Sequence, residues 1–149
     1  CLGAALSELN KKMSRNEFMG ENPMGYLAPA VIILSDGEPT DDWEKGLKEI
    51  KKNNWFKNAT KVAFAVGDDA NKVILGEICG SAEAVISIDD PDKIRAYIKF
   101  VTAAVSKTNT NSQTANNLSA QETVIQQIQN IDATDNFVVD IPDVDDSQW

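Results

Sequence analysis

A run of four apolar residues followed by an acidic turn constrains the fold of this chain more than any other feature. Residues 31–34, Val-Ile-Ile-Leu, are all branched, and three of them branch at the β-carbon. A run without polar alternation predicts a strand buried on both faces, which is typical of a parallel sheet covered by helices. Asp36 and Gly37 follow this strand, at the end where open α/β sheets place their ligand crevice. There Asp36 can act as a buried structural acid, a turn former or a cation ligand.

Helical and strand patterns alternate along the first 106 residues. Their order is helix, strand, helix, strand, helix, strand, helix, which predicts right-handed crossovers and a parallel sheet with helices on both faces. We therefore expect an α/β fold of the doubly wound, Rossmann-like kind. The predicted strands cover residues 30–35, 62–66 and 84–88, and the predicted helices cover residues 2–13, 41–52, 70–79 and 90–105.

Local signals predict the helix ends and the buried faces. Asp41, three residues before Glu44, is typical of a capping box at the start of the second helix. In the third helix, Val73, Ile74 and Ile78 are expected to point inward, and Gly80 is expected to end the helix.

The charge distribution divides the chain in two. All 14 Lys and Arg and 16 of the 23 acidic residues lie within residues 1–107, whereas the remaining residues hold seven acids and no base. This division predicts a near-neutral globular domain over residues 1–106 and a polar, then acidic, largely flexible tail over residues 107–149. It argues against nucleic-acid binding, for which a basic patch is expected.

The tail carries two patterns beyond its charge. Residues 121–131 place Val124, Ile128 and Ile131 at helical spacing, which predicts a short helix. Residues 137–142 and the terminal Trp149 can instead dock on a partner by strand addition or pocket insertion. A disordered, solubilising tail is the simpler reading of the same residues.

The two cysteines and the start of the chain bear on the cellular setting. Cys79 falls on the apolar side of a predicted helix, so we expect an inert core thiol. The helical pattern begins directly after Cys1, so we expect that part of a domain precedes it. The sequence has neither an apolar stretch of membrane-spanning length nor a signal peptide pattern, and we expect a cytoplasmic protein without a membrane partner.

The strand and loop at residues 31–40, Val-Ile-Ile-Leu-Ser-Asp-Gly-Glu-Pro-Thr, resemble the fourth strand and following loop of von Willebrand factor type A (vWA) domains. The opening helix resembles the segment after the family's metal-binding Thr. Residues 62–67, and residues 84–88 with the helix after them, complete the pattern. The resemblance covers residues 1–106 and is closest to intracellular bacterial vWA proteins associated with tellurium resistance. It implies the C-terminal half of a vWA fold.

The resemblance also implies a divalent-cation site at the strand ends, the metal-ion-dependent adhesion site (MIDAS), for Mg²⁺, Mn²⁺ or Ca²⁺. Of the family's three ligand loops, only the Asp after the fourth strand has a counterpart here, Asp36. The Asp-x-Ser-x-Ser and Thr ligands would precede Cys1. One carboxylate cannot supply the oxygen shell that Mg²⁺ requires, so the resemblance implies an incomplete site in this chain.

Other polar residues lie near Asp36 in the predicted fold. Ser35 is expected to be structural or to support Asp36. Four other residues of the loop can shape its rim or cap a helix, with capping favoured for Asp41: Glu38, Thr40, Asp41 and Asp42. Asp68 and Asp69 follow the second strand at the same sheet end. For them, capping of the helix at 70–79 is favoured over a contribution to the field at a cation.

Three functions remain open at this stage. The first is a non-enzymatic, vWA-type adaptor whose protein partner supplies an acidic residue to the metal, with a role in bacterial stress or tellurium resistance. The second is a Mg²⁺-dependent phosphotransferase or phosphohydrolase using Asp36. Against it, the chain has no Gly-rich phosphate loop and no His for acid–base chemistry. The third is a regulatory fragment made without the front of the domain.

Overall fold

Three parallel strands lie at the centre of the computed structural model, which describes residues 1–14, 29–90, 93–110 and 120–132. The strands are β1 (Ala30–Ser35), β2 (Thr60–Val66) and β3 (Val85–Ile88), in the order β1-β2-β3. The helices are α1 (Leu2–Lys12), α2 (Trp43–Ile50), α3 (Asn54–Asn58), α4 (Lys72–Cys79), α5 (Ile94–Thr110) and α6 (Ala120–Asp132), and a 3₁₀ turn (Ala82–Ala84) precedes β3. The predicted α/β class and parallel sheet are confirmed.

The middle strand is buried on both faces, as its unbroken apolar sequence predicts. Val62 and Phe64 pack with β3 and α5 on one face, and Phe64 is fully buried. Ala63 and Ala65 pack with α4 on the other face. Both faces are therefore covered by helices, which is the physical reason that β2 lacks polar alternation.

Helices α1 and α2 cross on the face of the sheet that also carries α4. Their axes approach at Gly3 and Gly46, where the ideal Cβ position of Gly46 lies 2.8 Å from the Gly3 carbonyl oxygen. The pair buries Leu6, Leu47 and Ile50 against β1. Glycine at the crossing allows backbone to contact backbone, and this contact fixes the position of the α1 N-terminus.

Two local predictions were wrong. Val73 was expected to point inward, but it is 81% exposed, and Leu75 takes the buried position at 1%. The cause is helix geometry: Val73 and Ile78 are five residues apart, about 140° around the helix, so a face that buries Leu75 and Ile78 leaves Val73 outside. A short helix, α3, was also missed, because Asn53 both follows α2 and caps α3 through its side-chain oxygen on the Trp55 N–H. Gly80 does end α4, with φ at +82°.

Helix α6 lies within the predicted tail and packs on the body of the protein. Val124 joins the apolar cluster beside α5, and Ile125 joins the cluster beside α4, so α6 contacts the layers on both faces of the sheet. The predicted helix at 121–131 is confirmed. Helix α5 runs without a break to Thr110. The boundary at residue 106 stays a prediction, and residues 111–119 and 133–149 lie outside the described residues.

Gln121 joins α6 to the sheet by an unusual pairing. Its side-chain oxygen accepts from the Lys61 N–H at 2.6 Å, and its side-chain nitrogen donates to the Lys61 carbonyl at 2.7 Å. Strand β3 pairs with β2 only from Ala63 onward. The amide of Gln121 therefore takes the place of a neighbouring strand for one residue and satisfies two backbone groups that β3 does not reach.

Within the described part of the chain, no helix is both long enough and apolar enough to cross a lipid bilayer.

Candidate functional site

The carboxyl ends of β1 and β2 and the N-terminus of α1 meet at one end of the sheet. Asp41, in the loop after β1, accepts hydrogen bonds from the N–H groups of Gly3 and Ala4, each at 2.9 Å. These bonds satisfy two backbone donors that the first turn of α1 cannot pair internally. They hold the pKa of the Asp41 carboxyl below its usual value, with the Gly3 bond the larger cause and the Ala4 bond next.

The expected role of Asp41 was half right. It caps a helix, but that helix is α1, 37 residues away in sequence for the nearer bond. The N-cap of α2 is Asp42, whose carboxylate accepts from the Lys45 N–H at 3.2 Å. The spacing of Asp41 and Glu44 satisfies the capping-box pattern, yet the pattern cannot reveal a helix end brought close by tertiary packing.

The loops after β1 and β2 are joined to each other. The Asn71 side-chain nitrogen donates to both carboxylate oxygens of Glu38, at 2.9 and 3.0 Å. The Asn71 side-chain oxygen accepts from the Ile74 N–H at 3.0 Å and so caps α4. One amide thus holds the rim of the first loop against a helix start in the second.

Asp68 and Asp69 were predicted to cap the helix at 70–79, and this prediction was wrong. Asn71 is the N-cap, and both acids are exposed in the turn after Gly67, where φ is +74°. The turn carries the chain away from the sheet before α4 begins. Both carboxylates are left at the sheet end that also carries Asp36.

Asp36 is exposed, which removes a buried structural acid from its three roles. The Ser35 hydroxyl donates to the Gly37 carbonyl at 3.2 Å and closes the turn around it, so Ser35 is structural here. Nearby, Thr40 is also exposed, and its hydroxyl lies 4.0 Å from the Cys1 sulfur.

The described residues do not form a complete metal site. No group of three or more acidic, cysteine or histidine side chains placed to hold a metal ion occurs among them. Asp41 is occupied by the α1 N-terminus, Glu38 by Asn71 and Asp42 by the Lys45 N–H, which leaves Asp36 as the one carboxylate of residues 36–42 without a hydrogen bond to the described residues. Because Mg²⁺ needs several oxygen ligands, these residues alone do not fit the ion. Asp36 as a cation ligand stays a prediction.

Cys79 is the core thiol that the sequence predicts. It is 3% exposed in the cluster between α4 and β2, and burial raises its pKa to about 12. A thiol needs its thiolate form to attack an electrophile. Cys79 is therefore not poised as a nucleophile.

Comparison of the chain with protein-family models, curated proteins and solved structures gives no match. The vWA resemblance therefore depends on the residues quoted for it. Sequence reasoning missed the role of Asn71. The signal available for it was an Asn three residues before the Ile74 amide that it caps, directly after a strand-end turn.

Replacing Asp41 with asparagine should lower the unfolding temperature at neutral pH, because the charged acceptor at the α1 N-terminus is lost. The pKa of Asp41 is depressed from 3.8 in the folded state. Its contribution to stability is therefore present above that value and is lost as the pH falls through the folded pKa. Thermal unfolding of the unaltered chain and of Asp41→Asn, measured from about pH 7 down to about pH 2, should show the difference in unfolding temperature shrinking as the pH falls.

The matched control is Asp36→Asn, an exposed acid of the same loop with no hydrogen bond among the described residues. It should leave the unfolding temperature unchanged at every pH. A pH-independent effect of Asp41→Asn, or an equal effect of the two substitutions, would contradict the assigned role of Asp41.

Proposed function

We propose that this chain is a non-enzymatic protein-interaction module of the vWA kind. It binds its partner with the surface formed by the loops after β1 and β2. One observation carries the proposal. Asp36, Asp68 and Asp69 are exposed at one sheet end, while Asp41, Glu38 and Asn71 hold the loops in place by hydrogen bonds to α1 and to each other.

A surface of this kind suits recognition because its loops are held before a partner arrives. Preorganisation lowers the entropy cost of binding. Loops on a rigid scaffold are also where binding residues concentrate. The acids that carry no hydrogen bond to the fold are free to face a ligand, whereas those that stabilise the fold are not.

Under this proposal Asp36 contributes one oxygen ligand to a divalent cation, and the remaining ligands come from outside the described residues. A partner carboxylate is the natural donor, since hard cations prefer oxygen ligands. The chain alone should then bind the cation weakly and at one place.

A Mn²⁺ titration of the isotope-labelled chain, followed by NMR, tests this. Mn²⁺ broadens amide signals close to it. Signals of residues 35–38 should disappear at severalfold lower Mn²⁺ than those of the 3₁₀ turn Ala82–Ala84, which precedes β3 and so lies at the opposite sheet end. Asp36→Asn should abolish this preference.

Glu83→Gln is the control, because Glu83 is an exposed acid in that distant turn. It should leave the preference for residues 35–38 intact. Equal broadening at the two ends of the sheet in the unaltered chain would refute a cation role for Asp36, and so would broadening that survives Asp36→Asn.

A further inference from the structure

Asp36 and Gly37 form an Asp–Gly pair in the turn directly after β1. Of the eight glycines in the chain, Gly37 alone follows an aspartate, and none follows an asparagine. In such a pair, the carboxyl carbon of the aspartate and the backbone nitrogen of the next residue can close a five-membered ring. Glycine leaves the approach to that nitrogen open, because it has no Cβ.

Both reacting groups of this pair are free of hydrogen bonds to the described residues. The Asp36 carboxylate is exposed and accepts no hydrogen bond from them, and the Gly37 N–H donates none to them. Asp41 in the same loop differs, because its carboxylate accepts from the N–H groups of Gly3 and Ala4. Of these two acids, only Asp36 can therefore turn its carboxyl towards the following nitrogen without breaking a bond that holds the fold.

The turn also has room to change its shape. No atom lies within 4 Å of the ideal Cβ position of Gly37, so this side of the turn is open. The turn is closed by the Ser35 hydroxyl, which donates to the Gly37 carbonyl at 3.2 Å. A turn closed by one side-chain hydrogen bond opens more readily than a helix or a strand ladder. The backbone can therefore reach the geometry that ring closure requires.

We propose that Asp36 is a modification site, at which aspartate isomerises spontaneously to isoaspartate. The Gly37 nitrogen attacks the Cγ carbon of the Asp36 carboxylic acid. The new N–C bond forms, the C–O bond to the hydroxyl breaks, and the hydroxyl leaves as water with the proton of the nitrogen. Water then opens the resulting succinimide ring at one of its two carbonyls. Opening at the side-chain carbonyl restores aspartate, and opening at the backbone carbonyl gives isoaspartate, so one water is lost and one is regained.

Isomerisation changes the turn that carries Asp36. The main chain then runs through Cβ and Cγ, so it gains one carbon between residues 36 and 37, and the carboxylate is attached to Cα. The Ser35 hydroxyl no longer meets the Gly37 carbonyl at the described spacing. Conversion would also displace the cation ligand, a consequence that rests on the proposed function. The isomerisation itself does not, since it needs only these two residues and water.

Prolonged incubation of the full chain without metal, at physiological pH and temperature, tests the proposal. Isoaspartate is located by peptide mapping with electron-transfer mass spectrometry. It is counted by the transfer of labelled methyl groups from S-adenosylmethionine, catalysed by a methyltransferase specific for isoaspartyl residues. Asp69 is the internal reference, because it is an exposed acid followed by the buried Ala70. Isoaspartate should accumulate at Asp36 faster than at Asp69 by about tenfold or more.

Three variants assign the reaction to this pair. Gly37→Ala should slow it by about tenfold, because the added Cβ hinders the nitrogen while fitting the open side of the turn. Asp36→Glu should abolish the signal at residue 36, because closure would need a six-membered ring; asparagine there would close the same ring with loss of ammonia. Thr40→Ala, an exposed residue of the same loop, should leave the rate unchanged. Equal accumulation at Asp36 and Asp69, or an unchanged rate in Gly37→Ala, would overturn the proposal.

Discussion

Replacing Gly3 with alanine should destabilise the protein by about 3 kcal/mol, at the upper end for overpacking a closed contact. The added Cβ would lie 2.5 Å from the Asp42 carbonyl oxygen, 2.9 Å from its carbonyl carbon and 3.1 Å from the Trp43 Cα. All three are backbone atoms and cannot rotate away. Helices α1 and α2 must therefore separate, which opens the cluster around Leu6.

Urea unfolding followed by circular dichroism measures this effect. Gly37→Ala is the matched control, since no atom lies within 4 Å of its ideal Cβ position. Its stability should stay within about 0.5 kcal/mol of the unaltered chain. If Gly3→Ala proves equally mild, α1 does not cross α2 at this glycine as described.

Replacing Gln121 with alanine should lower the free energy of unfolding by about 2 kcal/mol. The substitution leaves the N–H and carbonyl groups of Lys61, which are partly buried beside α6, without their hydrogen-bond partner. The packing of Val124 and Ile125 against the clusters on the two faces of the sheet would lose one of the interactions that stabilise it. Hydrogen exchange should show faster exchange at Lys61 and along α6, with the N–H groups of β1 that face β2 unchanged.

Gln126→Ala serves as the control, because Gln126 is exposed on the same helix. It should change neither the stability nor the exchange at Lys61. Should Gln126→Ala destabilise the protein as much as Gln121→Ala, the pairing of Gln121 with Lys61 would not be what holds α6 in place, because alanine is the better helix former and cannot itself weaken the helix.

The strands could be predicted from the sequence because their signal is local. β1 was predicted at its observed bounds, but its predicted burial on both faces was wrong: Val31 is buried, whereas Ile32 is only partly buried and Leu34 is 48% exposed. β2 begins at Thr60, two residues before the predicted start. Thr60 is polar but buried, because it pairs with β1, and a polar residue gives no apolar signal in the sequence. Periodicity reports burial, and so it locates the elements that are most buried.

The contacts at the candidate site could not be predicted because they join distant parts of the chain. Asp41 meets Gly3 across the length of a helix, a loop and a strand, and Gln121 meets Lys61 across 60 residues. No spacing in the sequence reports such a contact. Asp36 was placed at the end of its strand as expected, but its role depends on ligands that the described residues do not provide.

The two thiols of this chain differ in exposure, so the reactivity of one of them can measure opening of the core. Cys1 is exposed and should react at once with a thiol reagent, whereas Cys79 lies in the core. Modification of Cys79 requires the packing between α4 and β2 to open first. Its labelling rate under native conditions therefore reports how often the interior opens, and each substitution considered above can be ranked by that rate without added denaturant.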